Sequence, residues 1–214
     1  MDDTVQRYLN KQGCSWNFRP PHASHMGGSW ERMIGVARRI LDSMLLQQKS
    51  RLTHEVLSTL MAEITAIINA RPLLPVSTDP QQPFILSPAM LLTQKSGVPP
   101  PPGDFTDKDL YTKQWRQVQA LANQFWNRWS QEYLPSLQQR QKWTVTCRNL
   151  QVGDLVILRD KQAVRNCWPM AIVTATFPGK DGHVRKVEIK TTNQGDARTF
   201  LRPVAEVVLL LTKD

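Results

Sequence analysis

The chain lacks the features that would place a protein in a membrane or outside the cell. Among its 214 residues there are only three cysteines, Cys14, Cys147 and Cys167, which are odd in number and far apart. This set argues for reduced thiols in the cytosol or nucleus and against a disulfide scaffold. No apolar run approaches the roughly 18 residues needed to cross a membrane, and no signal peptide precedes the first element. We therefore expect a nuclear or cytoplasmic protein with no membrane partner.

Acidic residues are also scarce. The chain has 18 Asp and Glu but 27 Lys and Arg, which gives a net charge of +9. Such an excess favours an acidic partner, either nucleic acid or an anionic surface. The alternative is a surface charged only for solubility. The ranges 1–72, 73–148 and 149–214 each carry three more basic than acidic residues. Since no range is a dedicated basic tail, folding must assemble any nucleic-acid surface.

Apolar spacing predicts helices over the first part of the chain. Residues 14–19 alternate and suit a strand, and a Pro- and Gly-rich loop separates them from Ser29, a predicted N-cap. An amphipathic helix of about 20 residues follows, with Glu31 in its first turn. Thr53 is the predicted cap of a second helix, which ends before Pro72 because a residue that precedes proline avoids helical geometry.

The middle of the chain is predicted to form a connector followed by a long helix. Residues 72–105 are rich in proline and extended, with one short helix predicted over Ser87–Thr93. The long helix begins near Thr106 or Asp107 and ends at Tyr133, before Pro135. Its predicted apolar stripe is Tyr111, Trp115, Val118, Ala122, Phe125 and Trp129.

The last third changes from helical spacing to alternation. A turn at residues 178–182 separates two of the predicted strands. Five short strands within roughly 60 residues suggest a small closed barrel, so the predicted fold class is α+β. The predicted strands are Asp154–Arg159, Ala171–Phe177, Val184–Thr191, Thr199–Leu201 and Val207–Leu211.

Glu31 is the carboxylate of greatest interest, and two interpretations of it are open. The helix dipole stabilises an acid in a first turn, so Glu31 can be purely structural. A lone acid after a strand and a glycine loop also suits one member of a metal-binding set. Zinc is not favoured, because Cys14, His22 and His25 supply only three ligands at a spacing that matches no common structural site.

Basic and aromatic residues of the last half are candidates for contact with DNA. Trp143 lies next to Arg140 and Lys142, and Trp126 sits off the stripe of the long helix, where it could stack on bases. Arg185 and Lys186 cannot share a face, because side chains alternate along a strand. This arrangement suits sequence-neutral backbone contact better than base readout. The further candidates on or beside the strands are Arg159, Lys161, Arg165, Arg185, Lys186 and Lys190. Alternatively, Trp168, Phe177 and Phe200 would converge on one pocket in a protein- or chromatin-binding module.

A series of motifs in order along the chain resembles integrases of BEL/Pao-type retrotransposons. The first is the stretch from Trp16 to Arg32, with its Pro20-Pro21 and Gly27-Gly28 pairs and Glu31. The later matches are Asn69-Ala70-Arg71-Pro72-Leu73, Leu86-Ser87-Pro88-Ala89-Met90-Leu91-Leu92, Trp126-Asn127-Arg128-Trp129 with Tyr133-Leu134, Val152-Gly153-Asp154-Leu155-Val156 and Trp168-Pro169. Together they cover almost the whole chain.

The resemblance implies a fold, a chemistry and a set of partners. It implies that residues 1–72 are the C-terminal remnant of an RNase H-like core, 73–148 a connector with a long helix, and 149–214 a small SH3-like barrel. In that family two Asp and one Glu hold two Mg²⁺ or Mn²⁺ ions for phosphoryl transfer, and Glu31 matches the Glu. Arg38 and Arg39 would face the DNA backbone, and other integrase protomers are implied as partners.

The chain departs from the family at the two aspartates. The family's second Asp sits in a Ser-Asp-Xaa-Gly-Thr-Xaa-Phe segment, which this sequence does not contain. Asp2 and Asp3 fit the helix that follows this segment instead of the segment itself. We therefore expect the trailing part of an integrase, which binds DNA but performs no strand transfer alone.

Overall fold

The computed structural model describes residues 3–13, 28–47, 52–75, 85–95, 101, 103–111, 114–137, 148–160, 163–191 and 198–212. The chain divides into two compact units, Met1–Arg38 and Arg39–Asp214. The strand predicted over residues 14–19 lies outside the described residues, and so do Arg140, Lys142, Trp143 and Lys161.

The first two helices are α1, Asp3–Lys11, and α2, Gly28–Leu46. Asp3 in the first turn and Lys11 in the last turn of α1 both complement the helix dipole. Helix α2 begins at Gly28, which has a φ of +60°. Ser29 therefore lies inside the helix, and its prediction as the N-cap is wrong. Glycine tolerates this left-handed backbone at a helix start, whereas a side chain would be strained there.

Helix α3 covers His54–Asn69 and confirms the prediction of a cap at Thr53. The Thr53 hydroxyl accepts a hydrogen bond from the Val56 amide at 3.4 Å, which satisfies one of the free amides of the first turn. The helix ends three residues before Pro72. Its buried stripe, which packs against the long helix, is Val56, Leu60, Ile64 and Ile67.

The connector contains two short strands and a short helix. Strands β1, Leu74–Pro75, and β2, Ile85–Leu86, pair antiparallel. Helix α4 covers Pro88–Thr93 and so begins one residue later than predicted, because Ser87 caps it: the Ser87 hydroxyl accepts from the Met90 amide. A 3₁₀ helix then spans Asp107–Tyr111.

The long helix α5 covers Gln114–Leu137, so both predicted ends need correction. It starts late because Asp109 accepts hydrogen bonds from the Thr106 amide at 2.9 Å and from Arg116 at 2.6 Å, which stabilises a separate turn. It also continues through Pro135. A proline in the last turn removes only one hydrogen bond, so the helix extends for two more residues.

Five antiparallel strands form the main sheet in the order β6-β5-β4-β3-β7. A 3₁₀ helix, Val204–Glu206, connects the last two strands in the chain. The predicted bounds of β5 and β7 are confirmed, and those of the other strands differ by one or two residues. The strands are β3, Leu155–Leu158; β4, Met170–Pro178; β5, Val184–Thr191; β6, Thr199–Pro203; and β7, Val207–Leu211.

The sheet is open, so the prediction of a closed barrel is wrong. Strands β6 and β7 lie at opposite edges, and within the described residues they do not pair with each other. Strand β6 is short, is exposed along its whole length and ends at Pro203, all of which discourage further pairing at an edge. At the other edge, β1 lies beside β7.

The two faces of the sheet are covered differently. The face that we call inner carries a core cluster of Leu150, Val156, Ala171, Val173, Val187, Ile189 and Val207. On the opposite, outer face, Leu134 near the end of α5 packs on Ile157 of β3 and Val208 of β7. The chain is therefore an α+β protein in which α5 and the sheet share a core. None of the described helices is long and apolar enough to cross a membrane.

Candidate nucleic-acid interface

Three aromatic side chains of α5 meet a fourth from the β3–β4 loop in one place, which we call the aromatic junction: Trp126, Trp129, Tyr133 and Trp168. Trp129 stacks on Tyr133 with ring centroids 5.4 Å apart. Trp168 meets Trp126 edge-on at 4.8 Å and Tyr133 at 5.6 Å. Such edge-on and offset pairs are favourable beyond the area that they bury.

Hydrogen bonds from these rings connect α5 and the β3–β4 loop to the end of α3. The Trp168 indole donates to the Ala70 carbonyl at 3.1 Å, and the Tyr133 hydroxyl donates to the Pro72 carbonyl at 2.9 Å. Burial raises the pKa of Tyr133 to about 12, so the phenol keeps its proton. Residues of three of the six motifs, those that contain Ala70, Tyr133 and Trp168, are thus in contact in the structure.

Trp126 belongs to this junction, so the idea that it stacks on bases is wrong. Its side chain is buried, and its indole donates to the Ala163 carbonyl at 3.1 Å. Its position off the apolar stripe is explained by the β3–β4 loop, which covers that side of α5. Trp115, which was predicted to be core, is instead 52% exposed.

Arg165 was predicted to contact DNA, and the structure contradicts this assignment. Its side chain is 2% exposed and forms an ion pair with Glu63 at 3.4 Å. The guanidinium also donates to the Gln119 side chain at 2.5 Å and to Asn123 at 3.1 Å. Burial lowers the pKa of Arg165 and Glu63 opposes that shift. Arg165 therefore holds the β3–β4 loop against α3 and α5.

The Val152–Val156 motif also has a structural role, because it starts β3. Gly153 has a φ of +96°, and its amide donates to the Val173 carbonyl at 2.8 Å. The Asp154 side chain is fully buried and pairs with Arg148 at 2.9 Å. Its carboxylate also accepts from the Gln151 amide at 2.8 Å.

Cations remain exposed on the outer face of the sheet, away from α5. Lys186 and Lys190 alternate with the buried Val187 and Ile189 along β5, so both lysines point outward. Phe177 lies opposite Lys186 in the register, and the Lys186 ammonium is 5.3 Å from the centre of its ring. The ring is 44% exposed.

A second cation–aromatic pair lies on the inner face of the same strands. Phe200 is opposite Ile189 and Arg202 is opposite Val187, both of which belong to the inner core. Arg202 is 5.5 Å from the Phe200 ring centre. Because Phe177 and Phe200 lie on opposite faces and Trp168 belongs to the aromatic junction, these three rings do not converge on one pocket.

Arg185 lies at the end of the β4–β5 hairpin and pairs with Asp181 through two hydrogen bonds, one of them 3.0 Å long. This pairing holds the pKa of Asp181 down, to about 2. A Cβ at Gly179 would come within 2.9 Å of the Asp181 carboxylate and 3.1 Å of the Arg185 guanidinium. A side chain at position 179 would therefore require this exposed ion pair to shift, whereas the backbone of the turn could stay in place.

The remaining predicted cations lie outside strands β4–β6. Arg39 pairs with Glu132 of α5 at 2.9 Å, and both side chains are exposed. Arg38 is exposed in the first unit, and Arg159 is exposed after β3, where its amide donates to the Glu206 carbonyl at 2.9 Å.

Glu31 lies in the first turn of α2 and is half-buried. Within the part of the chain that the structure describes, no three His, Cys, Asp or Glu side chains come close enough to hold a metal ion. One carboxylate does not suit a two-metal site, which needs several oxygen ligands. We therefore derive no metal-dependent step from these residues.

The sequence pointed to Lys186 and Lys190 but missed Phe177 and Leu201 as their neighbours. Leu201 lies opposite Glu188 on the outer face and is 50% exposed. The alternation along β5 can be inferred from the sequence. The register that places residues of β4 and β6 beside the two lysines cannot.

The geometry defines an α+β protein whose open sheet presents a basic and aromatic outer face. Residues 113–210, just under half of the chain, match the model of a family of unknown function (DUF5641). The match spans α5 and the sheet, which share a core in the structure. No curated protein and no solved structure matches the chain.

Proposed function

We propose that this chain is a retrotransposon integrase-derived protein that binds DNA through its sheet. The observation that carries the proposal is the outer face of β4–β6, where Lys186 and Lys190 lie exposed beside the ring of Phe177. No ion pair within the described residues engages either lysine. Exposed cations beside an accessible ring suit the phosphates and bases of a nucleic acid.

The origin from a BEL/Pao-type integrase rests on the motif order along the chain. The aromatic junction supports it, since Ala70 and Pro72 of one motif accept hydrogen bonds from Trp168 and Tyr133 of two others. Segments about 60 to 100 residues apart in the sequence thus act as one structural set. Such co-dependence gives a physical reason for the motifs to occur together.

The SH3-like and RNase H-like assignments are part of the proposal. The strands β3 to β6 form an antiparallel meander, and β7 follows through a 3₁₀ helix and pairs with β3. This connectivity is SH3-like and supports the SH3-like assignment. The position of Glu31 in the first turn of α2 supports the RNase H-like assignment. Mg²⁺ or Mn²⁺ would be held only together with further carboxylates, supplied for example by other integrase protomers.

The test is the binding of fluorescently labelled DNA to the whole chain, followed by anisotropy at increasing salt. We expect binding that weakens steeply with salt, because the neutralised phosphates release counterions. Absence of binding at low salt, or affinity independent of salt, would contradict the proposal.

A strand-transfer assay with Mg²⁺ or Mn²⁺ tests the catalytic part. We expect no product from this chain alone. Product formation that is lost in Glu31→Gln would show that a complete metal site exists in this chain and would overturn that expectation.

A further inference from the structure

We propose that the outer face of β4–β6 binds single-stranded DNA, with Phe177 stacking on an unpaired base and Lys186 and Lys190 contacting phosphates. The proposal rests on the DNA binding proposed above and names its surface and the form of its ligand. It concerns the outer-face set Phe177, Lys186, Lys190 and Leu201.

The charge on this face is available to a ligand. Lys186 and Lys190 are four residues apart on β5, about 13 Å along the strand, so they reach separate phosphates. Glu188 lies between them on the same face, but the Thr174 hydroxyl donates to its carboxylate at 2.9 Å. The acid is therefore held toward β4, and neither lysine is in an ion pair with any described residue.

The aromatic side chain decides between single-stranded and duplex DNA. Major-groove readout requires a helix or a two-stranded ribbon that enters the groove, whereas β4–β6 belong to a broad five-stranded sheet. A duplex that lies on such a face would place mainly its sugar–phosphate backbone, and not its bases, against Phe177. An unpaired base offers a ring surface, and base–aromatic stacking is favourable for any base. Lys186 beside the ring adds a cation for the adjoining phosphate.

The chain contains a matched control for this argument on the inner face. Phe200 is exposed to a similar degree, 36% against 44% for Phe177, and also has a cation near its ring, Arg202. Arg202, however, lies 3.8 Å from the Glu206 carboxylate, and the inner face around this pair is occupied by the core cluster. The two phenylalanines thus differ mainly in the face of the sheet on which they lie.

The experiment compares binding of a labelled single strand and a duplex of the same length by anisotropy at one salt concentration. Wild-type protein should prefer the single strand. Phe177→Ala should weaken single-strand binding about tenfold and leave duplex binding nearly unchanged, while Phe200→Ala should change neither. Equal effects of the two substitutions, or a preference for the duplex, would overturn the proposal.

A charge-matched pair of double variants tests the phosphate contacts. Lys186→Ala with Lys190→Ala should reduce the slope of log affinity against log salt by about 1.4, at roughly 0.7 for each phosphate on a single strand. Lys95→Ala with Lys108→Ala removes the same charge from exposed positions outside the sheet and should leave the slope nearly unchanged. Urea unfolding of each variant checks that the fold is retained.

The outcomes separate this inference from the proposed function. If the wild-type chain binds no DNA at low salt, the proposed function fails. If it binds DNA but the outer-face and control variants behave alike, DNA binding stands and its assignment to this face is wrong.

Discussion

At the scale of single residues, Arg165 shows how a side chain that sequence analysis assigns to DNA can be structural. In sequence it is one of several basic residues near predicted strands. In the structure Glu63, Gln119 and Asn123 surround it, and these residues lie 42 to 102 positions away in the chain. A buried guanidinium is stable only when its charge and its donors find partners. Those partners come from tertiary folding, so the sequence offered no means of separating Arg165 from Lys190.

The pair Arg185–Asp181 gives a prediction about pH. The guanidinium is the largest cause of the low pKa of Asp181, with a smaller contribution from the His183 amide. We expect the Asp181 carboxyl to titrate near pH 2 in an NMR carbon-shift titration, and Arg185→Ala to raise its pKa toward the ordinary value. Because the pKa is lower in the folded state, the pair stabilises the hairpin above the unfolded pKa, and this stabilisation is lost as pH falls through about 2.

The control for the titration is Arg202→Ala, which removes a cation from β6 whose described contacts are with Phe200 and Glu206. This substitution should leave the pKa of Asp181 unchanged. A carboxyl that titrates identically in wild type and Arg185→Ala would show that the ion pair does not form in solution.

At the scale of elements, local signals predicted most of the fold. Thr53 caps α3 as predicted, whereas Ser87, predicted as the first residue of the short helix, is its cap. Alternation predicted the bounds of β5, whose Val187 and Ile189 face the inner core. A short unbroken apolar run predicted those of β7, which packs against core clusters on both faces of the sheet. The differences have separate reasons. Pro135 is tolerated because it falls in the last turn of α5. The sheet stays open because β6 is a short, exposed edge strand that ends at Pro203, while β1 lies beside β7.

The aromatic junction is the element-level feature that the sequence did not reveal, and its hydrogen bonds can be tested. Trp168→Phe keeps a ring against Trp126 and Tyr133 but removes the donor to the Ala70 carbonyl. We expect it to lower the free energy of unfolding by about 1 kcal/mol. Trp168→Ala also removes the ring and should cost about 3 kcal/mol. Urea unfolding followed by far-ultraviolet circular dichroism measures both.

Trp115→Ala provides the comparison on α5, since this ring is largely exposed. It should change the free energy of unfolding by less than about 0.5 kcal/mol. If Trp168→Ala were equally mild, the junction would be a surface contact and would not join the helices to the sheet.

At the scale of the whole molecule, the relation between α5 and the sheet decides what the folding unit is. The family resemblance implies a domain boundary after residue 148, between the predicted end of the long helix at Tyr133 and the first predicted strand at Asp154. In the structure Leu134 of α5 packs on Ile157 and Val208, with Leu137 beside them. The match to the family of unknown function extends over residues 113–210 and so includes the helix.

The boundary can therefore be tested with two fragments. Residues 149–214 alone would expose Ile157 and Val208 to water, along with Met170 and Leu210 on the same side. A fragment of this size buries only about 60% of the surface that its unfolded chain exposes, less than a larger domain does, and tolerates such a loss poorly. We expect it to unfold without a cooperative transition. Residues 52–214 keep α5 and also the α3 side chains and Glu63 that pack against it, and should show dispersed amide resonances and one urea transition. Equal stability of the two fragments would mean that α5 is an appended connector. A folded unit only in the longer fragment would mean that any DNA-binding sheet must carry its helix with it.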